Sequence, residues 1–214
     1  MNDNVIKKSF KKIIYFIILI ASNRVVEYLL DKFGFLLNYA YCVYVGIKIE
    51  KHDGGIMLEY PIILKGGEYI TIGRNFSTRA RFRNEVWDFY RGHKYNPSIL
   101  IGDNVLFNFN CYIGAINKIE IGNNVLVGSN VLITDHSHGQ INSEALENIP
   151  VDRPLYSKGP VIIEDNVWIG EGVAILPNVK IGKNSIIGAN SVVTHSMPSN
   201  SVVAGNPAKI IKSL

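Results

Sequence analysis

The sequence predicts an all-β fold, a parallel β-helix built from six-residue repeats, and three observations lead there. Ile163, Ile169, Ile175, Ile181, Ile187 and Val193 recur at every sixth position, all β-branched and apolar. Three residues after each of the first five stand Asn166, Gly172, Asn178, Asn184 and Asn190. Four residues after them stand the smaller Val167, Val173, Val179, Ser185 and Ser191. A period of six fits neither a helix nor an alternating strand, and a repeat this short marks a β-helix.

Each position has a physical reason. β-branched side chains pack well on a pleated surface, so the sixth-residue set points inward and stacks coil on coil. Asn and Gly tolerate positive φ, so their column forms the corners between short strands, and small residues at the fourth offset leave room beside each corner. Three hexads close one triangular coil of about eighteen residues, and each coil advances about 4.8 Å along the axis. No coil buries its core alone, so several must stack. Ordinary sandwich strands would not hold hexad phase over this length.

The rest of the chain can be taken in order. Its 214 residues, 47% hydrophobic and 19% charged, suffice for a domain with a sizeable core. The net charge of +4 comes mostly from Lys7, Lys8, Lys11 and Lys12, leaving the remainder nearly neutral, which argues against a nucleic-acid surface. Cys42 and Cys111 have neither metal-site nor disulfide spacing, so a reducing, cytoplasmic compartment is the simplest expectation. Residues 1–44 read as a helical segment. Its apolar run Ile13–Ala21 is too short to span a bilayer, which takes about twenty residues. A charged start before a short apolar core also suits a signal peptide, but the small-residue cleavage pattern is unconvincing. The pattern predicts one helix, or two, ending near Gly34, serving as a cap on the β-helix or, through residues 1–22, as a peripheral contact with the inner face of the cytoplasmic membrane.

Residues 45–214 read as the β-helix domain. Val45–Ile49, Ile56–Leu58, Ile62–Leu64 and Ile70–Phe76 are expected as early, irregular coils. Residues 79–97 break phase and are rich in Arg and aromatics, including Trp87, Tyr90 and Tyr95. They are expected as a loop that contacts a sugar or nucleotide or packs on the N-terminal helix. Phase resumes at Ile101, Phe107 and Ile113, then at Ile121, Val127 and Ile133, with corners at Asn104, Asn110, Asn124 and Asn130. From Ile133 to Ile163 is thirty residues, five hexads, which keeps the two segments in register across a loop at 139–159. A long excursion from a tight repeat is usually functional, and this one follows Asp135-His136-Ser137-His138-Gly139. His136 falls in the corner column, where His tolerates positive φ, so a corner residue without chemistry is its plain alternative.

The Ile-Gly-x-Asn repeats resemble the hexapeptide-repeat acyltransferases, specifically those of the galactoside, maltose and surface-polysaccharide type. The resemblance covers about residues 99–214. It implies a left-handed β-helix, although crossover rules alone favour the right hand. It implies a homotrimer with active sites between subunits, acetyl-CoA as donor, and no resident metal. It places His136 as the catalytic base opening an extended loop. Asn108 matches an Asn that contacts the acceptor, and Asp135 and His138 join it as candidate substrate contacts. Trp168 matches a Trp lining the pantetheine channel. Ala204, Gly205, Asn206, Pro207 and Lys209 match the closing segment near the CoA adenine, within residues 203–214. Where galactoside enzymes follow that Asn with an acidic residue, this chain reads Gly114-Ala115-Ile116-Asn117, which argues against a simple galactoside or maltose acceptor.

The chemistry needs such a histidine, because a neutral sugar hydroxyl attacks a thioester poorly unless a base takes its proton, typically worth about 10² to 10⁴ in rate. The implied reaction is O-acetylation of a sugar in a bacterial surface polysaccharide or its precursor. Rivals are N-acetylation of a nucleotide-linked amino sugar, acetylation of an antibiotic, a γ-type carbonic anhydrase, whose zinc-binding His spacing is missing here, and a non-catalytic structural β-helix.

Overall fold

The computed structural model describes residues 11–14, 24–140 and 142–213. The chain divides into two compact units, Met1–Tyr41 and Cys42–Leu214.

The second unit is a three-faced parallel β-helix. Sheet A takes Lys51–His52, Ile70–Ile72, Ser98–Ile101, Lys118–Ile121, Val161–Ile163 and Lys180–Ile181. Sheet B takes Met57–Leu58, Ser77–Thr78, Leu106–Phe107, Leu126–Val127, Trp168–Ile169 and Ile186–Ile187, closed by Ser201–Gly205 and Ala208–Ser213. Sheet C takes Ile63–Lys65, Arg83–Val86, Tyr112–Ala115, Leu132–Thr134, Ala174–Ile175 and Val192–Val193. Every pairing between coils is parallel, the closing hairpin in sheet B is antiparallel, and so are two short pairs that stand off the coils.

The hexad column behaves as its chemistry dictates. Ile163 stacks on Ile181, Ile169 on Ile187 and Ile175 on Val193, one coil apart, and none is more than 1% exposed. The fourth-offset residues Val167, Val173, Val179, Ser185 and Ser191 are equally buried, so they form a second inward column rather than spacers. The two serines keep their hydroxyls satisfied locally: Ser185 Oγ donates to Pro198 O at 3.1 Å and Ser191 Oγ to Gly188 O at 2.6 Å.

The corner column takes the left-handed backbone, with φ of 58° at Asn166, 69° at Gly172, 64° at Asn178, 59° at Asn184 and 57° at Asn190. At the corner between sheets A and B the side chains also bond along the axis. Asn75 donates to Asn104 at 2.9 Å, Asn104 to Asn124 at 2.9 Å, Asn124 to Asn166 at 3.0 Å, Asn166 to Asn184 at 3.0 Å and Asn184 to Asn200 at 2.9 Å. Asn thus meets two needs at once: it tolerates positive φ and carries both a donor and an acceptor.

The early coils hold larger side chains. Phe76, Phe82 and Phe107 meet with ring centroids 5.1–6.1 Å apart. Beside them Asn84 and Thr78 point inward, and Asn84 Oδ1 and Thr78 Oγ1 are buried without a partner.

Several expectations need correction. Val45–Ile49 is not a strand: one helix, α1, runs Arg24–Gly46 without a break at Gly34, and residues 47–50 turn into the first coil. One glycine costs a helix only about 1 kcal/mol, which its good helix formers, Leu29, Leu30, Leu36 and Leu37, outweigh. Arg83–Val86 is a regular strand of sheet C, and only the hairpin Phe89–Tyr90 with His93–Lys94 departs from the coil. The thirty residues from Ile133 to Ile163 are not five hexads of register: they make one step, from sheet C to sheet A. Within them the excursion is ordered, with Ser137–His138 paired antiparallel to Leu155–Tyr156, a helical turn at Ser143–Leu146 and a 3-10 turn at Pro150–Asp152. Of the expected membrane segment 1–22, residues 1–10 and 15–22 lie outside the described residues.

Candidate active site

Where sheet C turns into sheet A, successive coils present Ile116–Asn117, Asp135–His136, Pro177–Asn178 and His195–Ser196. Asp135 belongs to this corner rather than to the surface: its side chain is 0% exposed. Three donors surround its carboxylate. Oδ1 accepts from the Ile116 N–H at 2.9 Å and lies 3.0 Å from His136 Nδ1, and Oδ2 accepts from the Asn117 N–H at 2.8 Å. The backbone of the preceding coil therefore fixes the carboxylate, and the carboxylate fixes the ring.

This arrangement decides the tautomer. An ionised carboxylate only accepts, so in the neutral ring Nδ1 carries the hydrogen and Nε2 keeps its lone pair. His136 does not take the left-handed backbone of the Asn column, so positive φ is not what places a histidine here. The Thr134 hydroxyl accepts from the His136 N–H at 3.3 Å and steadies the turn. The ring, 10% exposed, opens on a cavity of about 580 Å³ lined also by Ser137, Lys158, Pro177, Asn178, Thr194 and His195.

Asp135, expected among the substrate contacts, has a fully buried side chain whose oxygens face the Ile116 and Asn117 N–H groups and the His136 ring. His138 is exposed and does not line the cavity; its ring meets Tyr90 edge-on at 5.6 Å. Asn108 sits half-buried where sheet B turns towards sheet C. Trp168 is 53% exposed on the outer surface of sheet B, between Leu126 and Ile186. Ala204, Gly205, Asn206, Pro207 and Lys209 form the closing hairpin. One chain does not bring these residues to the His136 cavity.

The aromatic hairpin settles on the excursion. The Tyr90 hydroxyl donates to Val151 O at 2.7 Å, the Tyr95 hydroxyl donates to Leu155 O at 3.1 Å, and Arg91 pairs with Asp152 at 3.3 Å. Lys65 Nζ lies 2.9 Å from the Trp87 ring centroid, and Trp87 meets Tyr90 edge-on at 5.7 Å. Sequence reasoning missed this clamp and the lower wall of the cavity. The wall was recoverable: Asn178 and Ser196 stand eighteen residues apart, one coil, on the same corner as His136. Among the described residues no group of three or more His, Cys, Asp or Glu is placed to hold a metal ion.

Residues 160–195 match the family described as bacterial transferase hexapeptide (six repeats), and residues 98–135 match that described as hexapeptide repeat of succinyl-transferase. An Escherichia coli protein assigned as a lipopolysaccharide biosynthesis O-acetyl transferase is 38% identical over 159 residues, 73% of this chain and 78% of its own. The galactoside O-acetyltransferase of the same organism is 41% identical over 120 residues, 56% of each chain, so just over half of that relative is matched. Among solved structures, a galactoside acetyltransferase in complex with coenzyme A superimposes with a TM-score of 0.53 at 30% identity, covering 79% of this chain and 67% of its own. A maltose O-acetyltransferase from Clostridium difficile gives 0.52 at 34% identity, covering 76% and 68%. An N-acyltransferase from Bacillus cereus gives 0.64 at 18% identity, covering 79% and 87%, a likeness of fold alone.

Proposed function

This chain belongs to the hexapeptide-repeat transferases, with their left-handed parallel β-helix, and on that premise we propose that it transfers an acetyl group from acetyl-CoA to a sugar hydroxyl of a bacterial surface polysaccharide or its precursor. The observation that carries the reading is the buried Asp135 carboxylate holding His136 with Nε2 free beside the cavity. Nε2 takes the proton of the acceptor hydroxyl as its oxygen attacks the thioester carbonyl carbon. The tetrahedral oxyanion collapses, the C–S bond breaks, and the departing thiolate takes the proton from the imidazolium. The products are an acetyl ester and free CoA. The buried carboxylate lies beside the imidazolium that forms and favours it.

The outer faces support assembly. Register puts the exposed Leu106, Leu126 and Trp168 in one apolar column on sheet B, with Ser77 between Leu106 and the exposed Met57. Tyr112, Leu132, Ala174 and Val192 form a second column on sheet C, whereas the column on sheet A includes Glu120 and Lys180. A homotrimer in which sheets B and C face neighbouring copies covers the apolar columns and supplies Asn108 and Trp168 to a neighbour's cavity. The reaction belongs in the cytoplasm, in keeping with Cys42 and Cys111 standing as buried thiols.

Calorimetry with acetyl-CoA, followed by thiol release with a panel of sugars, tests the reading. The native protein and His136→Ala are expected to bind acetyl-CoA alike, with turnover only in the native protein. Equal turnover in both would remove His136 as the base, and absence of binding in both would remove acyl transfer from acetyl-CoA.

A further inference from the structure

Helix α1 presents an apolar surface that the catalytic reading leaves unused. Tyr28, Leu29, Phe33, Leu36, Leu37 and Tyr39 are each 56–61% exposed. At about 100° per residue they span roughly half the circumference, whereas a helix packed on a core shows a stripe of about 100°. Asp31 and Asn38 fall on the opposite side. Lys32 alone interrupts the apolar sector, and its ammonium lies 5.4 Å from the Tyr28 ring centroid, as a lysine that runs its stem along an apolar surface does.

We propose that α1 lies along an anionic lipid surface, with this aromatic and leucine sector at the boundary between headgroups and acyl chains. Three observations select lipid over a protein partner. The sector is too broad for a single groove. Its aromatic content suits the interfacial zone, where an amphipathic ring has one end dry and one end wet. Lys7, Lys8, Lys11, Lys12 and Arg24, against Asp3, carry all of the chain's net charge of +4, which complements anionic headgroups. The described part of that cluster, Lys11 and Lys12, is exposed and followed by the equally exposed Ile13 and Ile14. A second copy of the chain would instead bring the same positive charge against itself. No described helix is long and apolar enough to cross a membrane, which leaves the interfacial mode.

The test uses the full chain and two kinds of vesicle, phosphatidylcholine alone and phosphatidylcholine mixed with phosphatidylglycerol, read by co-sedimentation. Binding is expected to the mixed vesicles, weakened by salt, and about tenfold or more weaker in Lys11→Glu/Lys12→Glu. Phe33→Glu/Leu36→Glu is expected to lose binding while keeping the parent's thermal transition. The lysine pair keeps the test decisive if the helix variant fails to fold. Equal binding by parent and both variants, or no binding to the mixed vesicles, overturns the proposal. A change of oligomeric state in Phe33→Glu/Leu36→Glu, without loss of vesicle binding, assigns the sector to a second copy and also overturns it.

Discussion

At the scale of single residues the site reduces to one carboxylate and one ring. Asp135 receives two backbone N–H groups and faces a third donor on the ring, so it cannot be replaced without leaving a donor unmatched. Asp135→Asn offers one oxygen where two are used and turns an N–H₂ group towards an N–H. The variant is expected to lose at least about tenfold in kcat with little change in the KM for acetyl-CoA, because the ring loses its fixed tautomer while the cavity keeps its walls. Steady-state kinetics at saturating acceptor check this. An equal loss in both parameters would point to a collapsed cavity instead. Elsewhere in the core a residue stands against its surroundings. Asn84 Oδ1 is buried without a partner in a sheet C column that continues with Ile113 and Ile133. Asn84→Val is expected to stabilise the protein by about 1 kcal/mol, read from denaturant unfolding. Burial also pushes the Cys111 thiol up, so it stays protonated further into the alkaline range than a free thiol. Iodoacetamide is therefore expected to label Cys111 only after unfolding, as mass spectrometry would show.

Elements were legible where the repeat was regular. The inward aliphatics and the Asn corners from Ile101 onward lie where a period of six places them, because each position answers to a local requirement, burial or positive φ. The Asn ladder was not legible as such, since its bonds join residues sixteen to forty-two apart in sequence. It makes a prediction that runs against habit. At Asn124, φ is 57° and the amide bonds to both neighbours along the axis. Asn124→Gly loses the bonds but keeps the backbone, whereas Asn124→Ala also meets the left-handed penalty of about 1–2 kcal/mol. Thermal unfolding should therefore rank alanine below glycine. The elements misread from sequence share a cause. Val45–Ile49 has strand composition, but the helix before it carries through Gly46. The hairpin at 89–94 looked phaseless because its partners, Val151, Asp152 and Leu155, lie some sixty residues away.

At the scale of the whole molecule, the sequence singled out the corner proposed as catalytic but not its surroundings. His136 stood out because a long loop follows it, while the approach of Asp135 to its ring was hard to read, since adjacent residues in a strand point apart and the corner makes these two converge. Asn108 and Trp168 remain distant from the cavity within one chain, in keeping with a site completed by a neighbouring copy. Leu126→Asp, on the exposed apolar column of sheet B, is expected to convert a trimer to monomers by light scattering and to abolish turnover with the thermal fold intact. A monomeric native protein, or a variant that stays trimeric and active, would remove sheet B from the interface.

The excursion at 139–159 leaves and rejoins the coils at neighbouring points, Ser137 opposite Tyr156 and His138 opposite Leu155. The stack below it sees only a corner, however long the chain beyond that neck becomes. Residues past the neck can be lengthened, exchanged or rewritten by mutation without disturbing the core that carries the imidazole. The scaffold and the tethered excursion can thus change separately, one answering to the repeat and the other to its own contacts.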